Sequence, residues 1–294
     1  MPNTTISAEG LVAVIDHFGA QLTSLKKDGN EYLWQADPRW WAKHAPILFP
    51  IVGSLRDGKA MSSQGPITLG RHGLARDYEH AVVEHTDSKV VFELVDSEAT
   101  RAAYPYAFKL NMTYELTGPA SLTQTFRVEN TGDVVLPFSV GGHPAFNVPA
   151  PGTEHERFSD YELAFTRRWT CDTPVIAPGG LNTYSTVKRI VDDADTMALT
   201  HEFFDEDSVM LTDVPDGTLT LRSRVSGRGV KIDFADFRYI GIWSALGDAQ
   251  FVALEPWTGF STLDTEDDVF EHKCDITLLD PGAVDERSFT VTLL

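Results

Sequence analysis

Alternation of apolar and polar residues is the strongest pattern in this chain. Between residues 108 and 116 every second side chain is apolar, and those between are polar. Successive side chains of a β-strand point to opposite faces of its sheet, so this pattern predicts a strand with one buried face. The pattern also predicts strands at residues 90–95, 122–128, 134–140, 219–222, 230–234 and 289–293. Residues 239–243 and 251–254 are almost continuously apolar, which is typical of strands buried on both faces.

Turn-forming segments separate these predicted strands, among them Asn130-Thr131-Gly132 and Pro215-Asp216-Gly217. Their spacing favours an all-β chain, a large antiparallel β-sandwich or barrel with a few short helices. Short helices are predicted at residues 37–43, 97–103 and 201–205. Residues 148–200 are rich in proline and aspartate and are interpreted as irregular excursions from the sheets. Without a linker or clean repeat, residues 1–294 are predicted to form a single domain.

The charge balance excludes some classes of partner. The chain has 24 Lys and Arg against 43 Asp and Glu, a net charge of −19. Nucleic acids and anionic membranes both select basic surfaces, so neither is expected as a partner, whereas small neutral ligands remain open. No segment approaches the ~18 apolar residues of a membrane span, and the polar N-terminus predicts no signal peptide. With only Cys171 and Cys274, far apart in the sequence, a cytoplasmic location is expected.

Three polar clusters interrupt the apolar pattern and are candidates for chemistry. They are residues 71–77 (RHGLARD), 141–147 (GGHPAFN) and 255–257 (EPW). A carboxylate at the end of a buried strand tends to have a raised pKa, so His143 and Glu255 form a plausible acid–base pair. Each residue alone also fits a plain structural role, His143 in a turn and Glu255 at a solvated strand end. Spacing alone does not establish that the two side chains meet.

Other site classes find little support in the sequence. There is no HExxH, GxSxG or phosphate-binding glycine loop, so zinc protease, serine hydrolase and nucleotide-binding functions are not predicted. Residues 154–156 and the acidic run 264–268 are most simply charged loops, and no metal site is expected. Trp40 and Trp41, near Trp34, either plug the core or provide an aromatic wall for a sugar pocket.

The motifs together resemble the aldose 1-epimerase (mutarotase) superfamily, in particular its LacX-like branch. The resemblance runs through most of the chain, in segments 18–25 (FGAQLTSL), 30–35 (NEYLWQ), 45–53 (APILFPIVG), 56–58 (RDG), 72–76 (HGLAR), 141–147 and 254–257 (LEPW). It implies a β-supersandwich with a cleft across one sheet and a reaction without cofactor. It also implies that His143 protonates the ring oxygen of a pyranose, that Glu255 accepts the proton of the anomeric hydroxyl, and that His72 contacts the substrate nearby.

The same resemblance makes Arg76 a partner for a substrate oxygen or an active-site carboxylate. Further substrate-binding candidates are Arg56, Asn147, Trp257 and Trp34. One departure stands out: Ser54 follows Ile51-Val52-Gly53, where relatives are expected to carry a basic residue. Arg56, two positions later in an extended chain, would lie on the same side and replace it.

The sequence therefore predicts an isomerase that interconverts the α and β anomers of a free hexose. A hexose 6-phosphate mutarotase, holding the phosphate with Arg56, Arg71 or Arg76, is the alternative enzyme. A non-catalytic carbohydrate-binding protein of the same fold is the alternative outside enzymes. In the predicted geometry, His143 and Glu255 flank a space about one sugar ring wide, while the sugar's identity and the oligomeric state stay open.

Overall fold

A computed structural model describes residues 2–294, in which β-structure dominates. The strands are β1 (Asn3–Ala8), β2 (Leu11–Asp16), β3 (Leu22–Lys27), β4 (Asn30–Glu31), β5 (Ile47–Leu48), β6 (Lys59–Ser62), β7 (Gly65–Thr68), β8 (Ala81–His85), β9 (Lys89–Val95), β10 (Phe108–Gly118), β11 (Ser121–Asn130), β12 (Leu136–Phe138), β13 (Gly141–Gly142), β14 (Ala145–Asn147), β15 (Tyr161–Ala177), β16 (Leu181–Ala198), β17 (Val209–Thr212), β18 (Thr218–Ser223), β19 (Gly229–Asp233), β20 (Tyr239–Trp243), β21 (Phe251–Trp257), β22 (Thr277–Leu279) and β23 (Val284–Leu293).

The helical content is small. One α-helix, α1 (Glu98–Ala103), begins after Ser97, whose hydroxyl accepts a hydrogen bond from the backbone N–H of Thr100. Short 3₁₀ turns lie at Arg56–Gly58, Ala75–Asp77, Phe158–Asp160, His201–Phe204, Pro215–Gly217 and Phe270–His272. No helix among residues 2–294 is long and apolar enough to cross a membrane.

The strands pair antiparallel in two large sheets and three smaller ones. The nine-stranded sheet has the order β16-β15-β18-β19-β23-β11-β10-β9-β8. The six-stranded sheet has the order β17-β20-β21-β13-β5, with β14 also paired to β21. A four-stranded sheet (β1-β2-β3-β4) and the pairs β12-β22 and β6-β7 complete the architecture. This is an all-β supersandwich of antiparallel sheets, as the alternating pattern predicts.

The two large sheets share one apolar core. On β10 the residues Leu110, Met112 and Tyr114 are fully buried, whereas the residues between them are partly exposed. Strand β21 of the six-stranded sheet sends Val252 and Leu254 into the same core. Its alternate residues lie on the opposite face, which is also covered, so all seven residues of β21 are buried. This second covered face carries the site described below.

The structure corrects several sequence-based predictions. Residues 37–43 form turns and no helix, because the Asp37 carbonyl accepts the N–H groups of Trp40 and Trp41 and the chain then leaves the helical path. The helix at 97–103 is present as α1, and that at 201–205 is a 3₁₀ turn. The strand predicted at 134–140 is limited to β12.

The larger correction concerns residues 148–200. They contain the long hairpin of β15 and β16, which the sequence interpretation described as irregular. Most side chains between residues 166 and 190 are exposed on both faces, so no period of two is visible there. The tip of this hairpin turns back over the covered face of the six-stranded sheet, where Asn182 bonds with Thr262 and Asp264 through backbone groups.

Candidate active site

Strand register brings the first two candidate residues together. Gly141 is paired with Trp257 and Ala145 with Ala253, so His143, midway between β13 and β14, lies opposite Glu255 on β21. The other neighbour of Glu255, on β20, is Gly241. Residues opposite one another in an antiparallel pair share a face of the sheet, so both side chains point away from the main core.

The two side chains touch. His143 Nε2 lies 3.2 Å from Glu255 Oε2, and both side chains are almost completely buried. The sequence-based expectation of a gap one sugar ring wide between them is therefore too large. Directly opposed residues on neighbouring strands have Cβ atoms only about 5 Å apart, which leaves no room for a ring between their tips. A sugar ring fits beside the pair rather than between its members.

Aromatic rings surround the imidazole of His143. The indole of Trp41 stacks on it at 4.7 Å between centroids, and Trp243 and His72 each present an edge at 5.8 Å. The turn at residues 37–43 thus brings Trp41 to the site, in agreement with the interpretation of an aromatic wall. These contacts fix the ring plane of His143 and exclude water from it.

His72 approaches the pair from a strained loop. Its φ is +69°, and its Nδ1 accepts a hydrogen bond of 3.1 Å from the backbone N–H of Gly53. A Cβ at the following Gly73 would overlap the carbonyl of Phe49, so this tight approach requires glycine. Burial holds the pKa of His72 well below its usual value, with the neighbouring His143 adding to the effect. With Nδ1 accepting, neutral His72 carries its proton on Nε2.

Burial moves the pKa values of the central pair in opposite directions. It lowers the pKa of His143 to about 3 and raises the pKa of Glu255 well above its usual value. The negative charge of Asp207 raises the pKa of Glu255 further. Both shifts favour the uncharged pair, with the proton on Glu255 and a neutral His143, over the ion pair.

Several buried polar atoms around the pair have no hydrogen-bond partner within residues 2–294. They are His143 Nδ1, Glu255 Oε2, Trp257 Nε1 and Arg76 Nε. Glu255 Oε2 and His143 Nε2 are close enough for an ion pair, at 3.2 Å, but they are not aligned for a hydrogen bond. Buried polar groups without partners cost stability, so such a concentration at one place indicates a surface built to receive a polar ligand.

These residues line a cavity of about 770 Å³. This volume is within the range of small-molecule sites, roughly 300–1,000 Å³. The floor is the outer face of the six-stranded sheet, and the β15–β16 hairpin contributes Thr173, Ile176 and Asn182 to the opposite wall. His72, Arg76 and Trp257 line the cavity, as the sequence predicts, together with His143 and Glu255.

Comparisons with known proteins agree with this arrangement. A family model described as aldose 1-epimerase matches residues 2–277. The chain belongs to the aldose 1-epimerase family. The plasmid-encoded protein LacX of Lactococcus lactis is 36% identical over 97% of both chains.

Solved structures of the aldose 1-epimerase fold superpose closely on this chain. A galactose mutarotase-related enzyme from Lactobacillus acidophilus has a TM-score of 0.93 at 30% identity, covering 100% of this chain and 97% of its own. A galactose mutarotase-like protein from Lactobacillus casei has a TM-score of 0.91 at 30% identity, with full coverage of both. The fold is therefore the galactose mutarotase-like supersandwich that the sequence motifs imply.

The structure does not bring Arg56 into the cavity of this aldose 1-epimerase family member. Its guanidinium Nε binds both carboxylate oxygens of Asp268 at 2.9–3.0 Å, and its Nη2 donates to three backbone carbonyls of the 263–266 loop. The chain leaves its extended path at Arg56, which begins a 3₁₀ turn. Arg56 therefore does not lie on the same side as Ser54, because alternate residues share a side only while the chain is extended. Arg71 is the cation beside Ser54, with its Nε 3.4 Å from the hydroxyl.

Two further candidates support the site from outside the cavity lining. The side-chain amide of Asn147 donates to the carbonyls of Glu31 and Leu33, which ties β14 to the neighbouring segment. The indole N–H of Trp34 donates to the carbonyl of Trp41 and thereby holds the turn that carries the stacked ring. The side-chain nitrogen of each residue is thus engaged by backbone carbonyls.

Sequence reasoning did not find three of the cavity residues, Lys43, Asp207 and Trp243. Asp207 lies in an acidic segment before β17 that reads as a surface loop, and only the fold brings it opposite Arg71, 3.3 Å away. Trp243 ends a strand whose apolar character already explained it as core. Lys43 follows Trp41 and Ala42 in a turn, where a lysine needs no special explanation.

Proposed function

We propose that this chain is an aldose 1-epimerase that interconverts the α and β anomers of a hexose through His143 and Glu255. The observation that carries the proposal is the buried contact of these side chains at the cavity wall, 3.2 Å apart. Anomer exchange needs one group that gives a proton to the ring oxygen and one that takes a proton from the anomeric hydroxyl. Two adjacent titratable groups, one protonated and the other not, meet this need.

The proton count balances through the cycle. With the proton on His143, the imidazolium gives it to the ring oxygen while the Glu255 carboxylate takes the proton of the anomeric hydroxyl. The ring bond from C1 to oxygen breaks, and the open-chain aldehyde is left beside a neutral histidine and a protonated glutamate. After rotation about C1–C2 the same transfers run backwards and close the ring on the other face.

The pKa directions favour the ring-opened stage. Burial favours a protonated Glu255 and a neutral His143, which is the state that ring opening produces. The desolvated pair thus stabilises the protonation state that accompanies the open chain. Neutral His72, with a proton on Nε2, can donate a hydrogen bond to a sugar oxygen close to the reacting atoms.

The test is an anomer-exchange assay with freshly dissolved single anomers of free hexoses and their 6-phosphates, followed by polarimetry or NMR exchange spectroscopy. We expect catalysed exchange with at least one hexose type and its loss in Glu255→Gln. Saturable sugar binding without catalysed exchange would instead support the carbohydrate-binding alternative, which keeps the cavity but has no need of the shared proton.

A further inference from the structure

Positive charge is concentrated beside the histidines, although the chain as a whole carries a net charge of −19. Lys43, Arg71 and Arg76 line the cavity together. All three lower the pKa of His143, after the larger effect of burial. On the other side of the pair, Asp207 is the charge that most affects Glu255. The cavity therefore has a cationic end at the histidines and an anionic side at Glu255.

Two of these cations are only weakly paired, with Asp77 as their nearby carboxylate. Within residues 2–294, Lys43 takes part in no ion pair, and it is partly buried beside Arg76. Arg76 donates from Nη2 to the carbonyl of Arg71 at 2.7 Å, and its buried Nε has no partner. Its nearest carboxylate, Asp77, is largely exposed and 3.9 Å away, at the limit of an ion pair.

Arg71 is different, because Asp207 lies 3.3 Å from it. Its charge is largely compensated, whereas Lys43 and Arg76 have only the more distant Asp77 as a counter-charge. Two like charges held close together and partly desolvated cost free energy. An anion bound between them would reduce that cost and accept hydrogen bonds from the Arg76 guanidinium and the Lys43 ammonium.

The chemistry of the substrate gives this cationic end a position relative to the sugar. If His143 protonates the ring oxygen, as proposed above, carbon C5 lies on the His143 side, since C5 is bonded to that oxygen. The exocyclic carbon C6 is bonded to C5, so a group on C6 extends away from Glu255. The cationic end is thus on the side of the cavity that receives the C6 substituent.

We propose that the natural substrate carries an anionic group on C6, a phosphate or a carboxylate, which Lys43 and Arg76 bind. This rests on the proposed function and names its substrate class. The free hexose expected from the sequence was favoured by the net charge of the whole chain and by Ser54. Local charge decides recognition at short range, because salt screens distant charges beyond about 10 Å at 0.1 M ionic strength.

The experiment measures kcat/KM for anomer exchange of a hexose, its 6-phosphate and the matching hexuronate, at low and high salt. We expect at least about tenfold preference for one of the two anions, falling as ionic strength rises. Lys43→Gln should lower kcat/KM for the preferred anion much more than for the neutral sugar, and so remove most of that preference. Lys59→Gln, which removes the same charge from an exposed strand residue remote from the cavity, is the control.

The two anions separate the possible sources of the charge: preference for the 6-phosphate assigns a phosphate, and preference for the hexuronate a carboxylate. The inference is overturned if the neutral hexose is exchanged as fast as the two anions or faster, and if Lys43→Gln slows exchange of all three sugars alike. The cations would then act only on the pKa values of the histidines. If no sugar is exchanged, the proposed function fails. In that case NMR-detected binding still tests the anionic site. Tighter binding of the 6-phosphate or hexuronate than of the hexose, weakened by Lys43→Gln, would support the site. If the anions bind no more tightly than the hexose, both the proposed function and the anionic site are overturned.

Discussion

His143 lies directly opposite Glu255 on the neighbouring strand, with Nε2 and Oε2 3.2 Å apart. The contact places two titratable groups in one buried environment that lowers the pKa of the first and raises that of the second. Glu255 does not lie at a strand end, as the sequence suggested, because β21 continues through Pro256 to Trp257. His143 lies in the two-residue break between β13 and β14, so one member of the pair is held by a fully buried strand and the other by a strand connection.

Removal of either member of the pair should abolish most of the exchange. We expect Glu255→Gln and His143→Asn each to slow anomer exchange at saturating sugar by at least about 100-fold, the low end for loss of a positioned acid or base. Glu255→Gln preserves side-chain volume, whereas His143→Asn replaces the stacked ring with a smaller amide, so circular dichroism and the Tm check that each variant folds. Near wild-type exchange in either variant would contradict the assigned roles.

The pH profile should report the influence of Asp207 on Glu255. Exchange needs one proton on the pair, so kcat/KM falls as the pH rises through the raised pKa of Glu255. The charge of Asp207 contributes to that rise. Asp207→Asn removes this charge and frees Arg71, and both effects lower the pKa of Glu255. We expect the alkaline limb to move to lower pH, whereas an unmoved or higher limb would show that Asp207 does not act on Glu255.

The buried Glu255 should make stability depend on pH. Since its folded pKa is raised, the folded state binds more protons than the unfolded state between the unfolded value, about 4.3, and the folded value. Stability therefore falls as the pH rises through this window. Glu255→Gln lacks this term, so its Tm relative to wild type should increase with pH above about 4. A Tm difference that is constant with pH would contradict the burial effect.

Gly241 is expected to be a positioning residue for Trp257. It faces Glu255 on β20, and the indole of Trp257 lies across it, where an added Cβ would overlap the ring. Gly241→Ala should displace the indole, raise KM and destabilise the protein by about 1–3 kcal/mol, the usual cost of overpacking. Gly118→Ala, at a strand end where a Cβ meets only ordinary contacts, is the matched control. Unchanged KM in Gly241→Ala would refute the role.

Arg56 should matter for stability and not for exchange. Its bonds to Asp268 and to the 263–266 carbonyls hold that loop against the turn at residues 56–58. Arg56→Gln should therefore lower the free energy of unfolding by about 1–2 kcal/mol and leave kcat/KM unchanged. A selective loss of exchange, with the Tm unaltered, would return Arg56 to the site. Urea unfolding and the anomer assay on the same preparation decide between the two.

The sequence predicts the regular part of this fold well. Strands such as β10 and β11 have one buried face, so the alternation of apolar and polar residues is visible in their sequences. Strand β20 is apolar throughout because both of its faces are covered. The β15–β16 hairpin cannot be predicted from such alternation, since much of it is exposed on both faces. Pro256 suggested a strand end because proline cannot donate to a ladder, yet the strand continues past it.

The site is predictable only in part, for a topological reason. His143, Glu255, His72 and Arg76 lie within motifs that can be found along the chain. Asp207 and Lys43 lie outside any motif, and their importance comes from contacts with residues far away in sequence. Arg56 shows the opposite case, because a motif residue is turned away by a local change of backbone direction.

The two sides of the cavity have different origins in the fold. His143 and Glu255 belong to the six-stranded sheet and its β13–β14 connection, and the facing wall comes from the tip of a hairpin at the edge of the nine-stranded sheet. Changes at Thr173, Ile176 or Asn182 can therefore reshape the cavity without moving His143 or Glu255. An architecture of this kind allows ligand selectivity to evolve in one hairpin, independently of the residues on the sheet.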